Sequence, residues 1–126
     1  MLDRTGDTIV AVSSAPGAAP RGIVRLDGPA AASIADHLLR LAEGRRIADI
    51  PGYSRVAGSV LIDADRAAPA VFYVFRAPRS YTRNDLIEIH TAGAPALLRV
   101  IVRRAIECGA RQAEPGEFTA RAFLSG

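Results

Sequence analysis

Lysine and tryptophan are missing from this sequence altogether, and all 16 basic residues are arginine. With no lysine and no G-x-x-x-x-G-K-[ST] run, the chain cannot supply a phosphate-binding P-loop. A single cysteine, Cys108, excludes an internal disulfide, and with only 2 histidines beside it no zinc site at a standard spacing can be built. No Ser, His and Asp order argues for a nucleophilic triad. No apolar run approaches ~18 residues, so no membrane-crossing helix is expected. Met1 is followed by Leu-Asp-Arg-Thr-Gly-Asp, which lacks the apolar centre of a secretion signal. A reducing, cytoplasmic setting is the expectation. Low-complexity segments and internal repeats are absent too.

What is present describes one globular domain of 126 residues, 49% hydrophobic and 23% charged. A chain of this size buries roughly two-thirds of its unfolded surface, enough for a real core. The net charge of +3 and pI near 9.7 are weak pointers to nucleic acid. The arginines are scattered from Arg4 to Arg121, and only Arg45-Arg46 and Arg103-Arg104 are adjacent. A nucleic-acid module usually gathers its cations into a patch interleaved with aromatics. Abundant alanine and arginine read more simply as a coding bias.

The pattern of elements is mixed. Residues 7–13 predict a strand rich in β-branched side chains. Ser14 to Pro20 carries two prolines and a glycine and predicts a loop. Gly22 to Leu26 predicts a second strand with Val24 and Leu26 on one face and Ile23 and Arg25 on the other. Gly28-Pro29 opens a helix with Ile34, Leu38 and Leu41 as its stripe and Gly44 as its stop. Residues 45–53 connect to a hairpin of strands near 55–62 and 69–76. A loop over 77–82 leads to a strand over 85–90, with Ile87 and Ile89 on one face and Leu86, Glu88 and His90 on the other. A helix from Pro95 to Glu107 presents Leu97, Leu98, Ile101, Ala105 and Cys108, with Gly109 as a left-handed cap and Cys108 as a small buried hydrophobe. A short helix over 117–124 closes the chain. The sum is an α+β domain with a mixed sheet of about five strands and two main helices.

Two charges interrupt apolar strand patterns, Arg25 and Glu88. A charge on a strand is most often the solvent face. The same pair also suits a ligand. A carboxylate can accept two parallel hydrogen bonds from an N–H and a neighbouring NH₂, as a pterin or guanine edge offers. An arginine fork can meet a carboxylate or carbonyl of the same molecule.

Four segments resemble, in order, the N-terminal domain of the MnmE (TrmE) family of tRNA-modification GTPases. They are Asp7-Thr-Ile-Val-Ala-Val; Gly22-Ile-Val-Arg25-Leu-Asp-Gly-Pro29, similar to Gly-Ile-x-Arg-x-Ser-Gly-Pro; Ser80-Tyr-Thr-Arg-Asn-Asp-Leu-Ile-Glu88, similar to Ser-Tyr-Thr-Gly-Glu-Asp-x-x-Glu; and Gly109 to Leu124, with its Glu-Pro-Gly-Glu-Phe-Thr and Arg-Ala-Phe-Leu. The family's glycine-rich loop after Pro-Pro-Gly reads Gly17-Ala18-Ala19-Pro20 here, with Arg21 supplying charge at a different position. Its His-Gly-Gly reads Ala92-Gly93-Ala94.

The resemblance implies a fold related to tetrahydrofolate-binding, aminomethyltransferase-like proteins, a homodimer, and a 5-formyl-tetrahydrofolate-type cofactor near the dimer interface. Arg25 and Glu88 match family folate contacts. Arg21, Tyr81, His90 and Arg121, in or beside the matching segments, are further candidates. The family's next contact is a lysine after Asn-Gly, and this chain reaches Ser125-Gly126 just short of it. Helical and GTPase domains are expected downstream, the latter using GTP, Mg and K. Together with an MnmG-type partner the family acts on the wobble uridine of tRNA, with folate as one-carbon source. The alternatives are a dimerising scaffold whose folate site has decayed, a tRNA-contacting module, and, more distantly, a folate-dependent aminomethyltransferase.

Overall fold

Strands in which every second residue is apolar need one dry face, and the fold supplies it with two helices. A computed structural model describes residues 6–125. The elements are β1 (Ile9–Val12), β2 (Ala19–Asp27), α1 (Ala31–Leu38), β3 (Leu39–Leu41), β4 (Ser54–Leu61), β5 (Ala67–Phe75), β6 (Leu86–Gly93), α2 (Pro95–Glu107), β7 (Arg111–Gln112) and α3 (Glu117–Ser125). They build one seven-stranded sheet in the order β3-β4-β5-β6-β2-β1-β7. All pairings are antiparallel except β1 with β7. The domain is α+β with a mixed sheet, as the sequence indicates.

Val24, Leu26, Phe72, Val74, Ile87 and Ile89 are fully buried on the face that α1 and α2 cover. Each such side chain contributes about 1.5–3 kcal/mol of hydrophobic burial. Ile34, Ala35 and Leu38 of α1 and Leu98, Ile101 and Ala105 of α2 complete that core. Pro95 opens α2, where its missing N–H costs nothing. Gly109, at φ +113, ends it in a Schellman motif, with Gly109 N–H to Ile106 and Ala110 N–H to Ala105.

Several sequence expectations change. The sheet has seven strands, because β3 and β7 span only 3 and 2 residues, too short for any periodic signal. Helix α1 ends at Leu38, and Leu41 lies on β3. Leu39 and Leu41 alternate around the exposed Arg40, so those leucines satisfy period two against β4. Gly44 closes a 3-10 turn instead, at φ +68. Pro29 precedes the helix, whose first turn is held by the Thr8 hydroxyl accepting from Ala30 N–H at 2.9 Å. The loop expected through Pro20 ends earlier. Ala19 already pairs with Gly93, and the register shifts between Ala19 and Gly22, an irregularity that tolerates Pro20 in the strand. Cys108 is exposed, not buried, because the helix turns its last residues beyond the core.

The connector after α1 is held by side chains. The Asp36 carboxylate accepts from Ile47 N–H at 2.6 Å and Ala48 N–H at 3.1 Å. Arg76 donates to the carbonyls of Ile47, Ala48 and Ile50 and pairs with Asp85 at 3.1 Å.

Candidate ligand site on the open sheet face

The face of the sheet turned away from α1 and α2 carries the charges. Strand register sets Ala11, Arg25, Glu88, Tyr73 and Arg55 side by side in one row across β1, β2, β6, β5 and β4. The two residues that break the apolar strand patterns are therefore direct cross-strand partners. Arg25 donates to Glu88 Oε2 from Nη2 at 2.6 Å and from Nε at 3.1 Å. His90, two residues along β6, places Nε2 at 3.0 Å from Glu88 Oε1 and its ring 4.6 Å from that of Tyr73. Arg55 lies over Tyr73 and donates to its hydroxyl at 3.3 Å. Arg25 in turn lies over the ring of Phe118 on α3, 5.4 Å from its centroid.

The electrostatics favour a charged Glu88. Burial would raise its pKa, but hydrogen bonds from His90 and Arg25 outweigh that and hold the carboxyl below the usual carboxylate range. The pair stays reachable, with Arg25 29% and Glu88 18% exposed. Each carboxylate oxygen has two lone pairs. The Arg25 fork fills Oε2, while Oε1 holds His90 and keeps one acceptor position free. As found, Glu88 offers one hydrogen bond to a ligand, and the two parallel bonds anticipated from sequence require Arg25 to move aside.

The other candidates fall around this centre. Tyr81 is 59% exposed on the turn closed by Arg83 N–H to the Ser80 carbonyl. Arg21 is exposed at the far end of β2 and shares a groove with His90. Arg121 is 2% exposed and turned to Asp27, whose Oδ1 lies 3.2 Å from its Nη1, so it is not presented at the open face.

Arg121 belongs to a second, structural cluster. Asp7 pairs with Arg111 at 3.0 Å, Arg111 with Glu117 at 2.6 Å, and Arg121 lies 3.8 Å from Glu117 and joins Asp27. Asp27 also accepts from the Thr82 hydroxyl and, at 3.2 Å, from Asn84. The Arg111 hydrogen bonds, against the cost of burial, hold Glu117 below the ordinary carboxylate range. This chain of charges seats α3 on the sheet and anchors the loop that carries Tyr81.

Sequence reasoning missed Tyr73, Arg55, Phe118 and Asp27. The first two were legible in the hairpin, where Val71, Tyr73 and Phe75 alternate against the buried Phe72 and Val74. Asp27 shares the alternation of Arg25.

The charged row lies within segments that other proteins share. A family model described as the N-terminus of the GTP-binding protein TrmE matches residues 8–126. The chain belongs to this family. Its TrmE-type sequence is 43% identical over 122 residues to the tRNA modification GTPase MnmE of Shouchella clausii (strain KSM-K16), covering 95% of the chain. It is 43% identical over 125 residues to MnmE of Xanthomonas oryzae pv. oryzae (strain PXO99A), covering 99% of the chain, and 36% identical over 126 residues to MnmE of Streptococcus mutans serotype c (strain ATCC 700610 / UA159), covering all of it. Those stretches are 26%, 27% and 27% of the relatives, so this TrmE-type domain spans about a quarter of their length.

Proposed function

We propose that the domain binds a reduced folate of the 5-formyl-tetrahydrofolate type on its open sheet face, as the dimer-forming part of a GTPase that modifies tRNA. The observation that carries the reading is the cross-strand pair of Arg25 and Glu88, charged, partly exposed and flanked by Tyr73, His90 and Phe118. An ionised carboxylate with one open lone pair beside an arginine fits the N–H and carbonyl edge of a pterin. Aromatic rings on either side suit a flat heterocycle. When bound, the folate supplies a one-carbon unit. The protein's own residues bind and orient it: Glu88 accepts, Arg25 donates, and His90 holds the Glu88 carboxylate in place. The relatives are named tRNA modification GTPases, which supports tRNA modification as the wider activity of the whole protein. GTP hydrolysis, an MnmG-type partner and tRNA itself belong to this proposal for the whole protein, as does the homodimer, whose test is sedimentation at graded concentration.

Titration calorimetry of 5-formyl-tetrahydrofolate against the full-length protein tests the folate reading. Binding is expected, and Glu88→Ala is expected to lower affinity about 10- to 100-fold while leaving the fold intact, the loss of a charge-assisted hydrogen bond. No binding at millimolar folate leaves a dimerising scaffold as the better description.

A further inference from the structure

Helix α2 carries two apolar stripes. Leu98, Ile101 and Ala105 are buried in the core. Arg99, Val102, Arg103 and Ile106 repeat at i, i+3, i+4 and i+7 on the flank turned to the β1–β7 edge. With Val12 of β1 that flank forms a groove of about 640 Å³. No residue of α1 or α3 lines it among the described residues. Val12 and Ile106 are 40% and 42% exposed, and these two open apolar side chains share the one groove. Neighbouring exposed apolar groups mark a surface that packs against something. The rim is basic. Arg99 has no hydrogen bond or ion pair among the described residues. Arg103 meets Glu107, the one acidic side chain lining the groove, only at 3.7 Å with both groups well exposed, a contact worth little.

The shape selects a helix. Residues at i, i+3, i+4 and i+7 form a ridge of the kind against which a second helix packs. A strand would instead need an edge to pair with, and β7 offers only 2 residues of one. The rim selects acidic groups on that helix, since Arg99 and Arg103 stand one turn apart beside the apolar floor. Two apolar anchors and two arginines make a small contact, weak between free molecules. A segment tethered to the domain meets it at an effective concentration on the order of millimolar and fills it readily. About three-quarters of each MnmE relative lies outside the stretch that this domain matches, which is 26% or 27% of their length. We therefore infer that an acidic amphipathic helix, from the part of the same polypeptide outside the matched stretch, docks along α2 in this groove. The inference does not rest on the folate reading, whose residues lie on the opposite face of the sheet.

Carbene footprinting of the purified full-length protein tests this, with the labelling of each side chain compared between the folded and the urea-unfolded protein. Val12 and Ile106 are expected to lose about tenfold or more of their labelling on folding, as Ile101 does at 1% exposure. An open groove gives only about a twofold loss, in line with 40% and 42% exposure, and that result overturns the inference. The protection is expected to persist on dilution of the protein. Protection that fades with dilution assigns the groove to a second copy and overturns the inference as well. Arg99→Glu combined with Arg103→Glu is expected to return Val12 and Ile106 to the labelling of an open groove, and Arg99→Lys with Arg103→Lys to keep them protected. Both arginines are exposed and glutamate is a good helix former, so Ile101 is expected to stay unlabelled in each variant, which shows the fold intact. Protection that survives the two glutamates overturns the acidic helix.

Discussion

Arg83 sits at φ +67, a backbone conformation that costs a side-chain-bearing residue about 1–2 kcal/mol. The family pattern has glycine there. Arg83→Gly is expected to stabilise the fold by about 1 kcal/mol, the relief of strain less the greater chain entropy of glycine. A thermal melt with unchanged or lower midpoint would count against it. At this scale the sequence was informative wherever a charge interrupted an alternating strand. Arg25, Glu88 and His90 were placed on the right face, and the register then made the first two partners. Asp27 and Arg121 were not legible as a buried pair. Arg121 reads as a candidate ligand contact and Asp27 as part of a shared motif, and only their mutual burial, at 2% and 0% exposure, gives them a structural role.

Helix α3 is the element through which structure and site are connected. One side carries Glu117 and Arg121, four apart and both buried, and Phe118 beside them supports the Arg25 guanidinium. Within the Glu-Pro-Gly-Glu-Phe-Thr run that carries the family resemblance, Glu117 is buried and seats the helix, while Phe118 packs against Arg25. Glu117→Gln leaves Arg111 and Arg121 without their full counter-charge, and breaking a buried pair costs about 3 kcal/mol or more. Hydrogen exchange is expected to show amides of α3 losing protection while those of β5 and β6 keep theirs. Uniform loss across the sheet would deny α3 its separate seat. Elements with long periodic runs were readable, namely α2, the β4–β5 hairpin and α3. Those of two or three residues were not, since β3 and β7 exist only because a neighbouring strand offers them an edge.

For the molecule as a whole, Glu88 and Glu117 set the response to acid. Both folded-state pKa values lie below the ordinary 4.5. Their contribution to stability is therefore complete above that value and lost as pH falls through the lower folded ones. Denaturant melts are expected to show stability level from pH 7 to about 5 and declining below the 4.5 of an unperturbed glutamate. The Glu88→Gln, Glu117→Gln double variant is expected to start lower and decline less steeply. An acid limb unchanged by those substitutions would assign the effect to other groups. The parallel pairing of β1 with β7, reinforced by Asp7 to Arg111 across 104 positions, bears on the order in which the domain is made. During synthesis Arg25, Glu88 and His90 leave the ribosome well before Phe118 and the residues that seat it. A nascent chain halted at Gly109 already holds the charged row and lacks its support. Under the folate proposal, competence to bind arrives with the last helix, and an incompletely translated domain is silent toward the ligand.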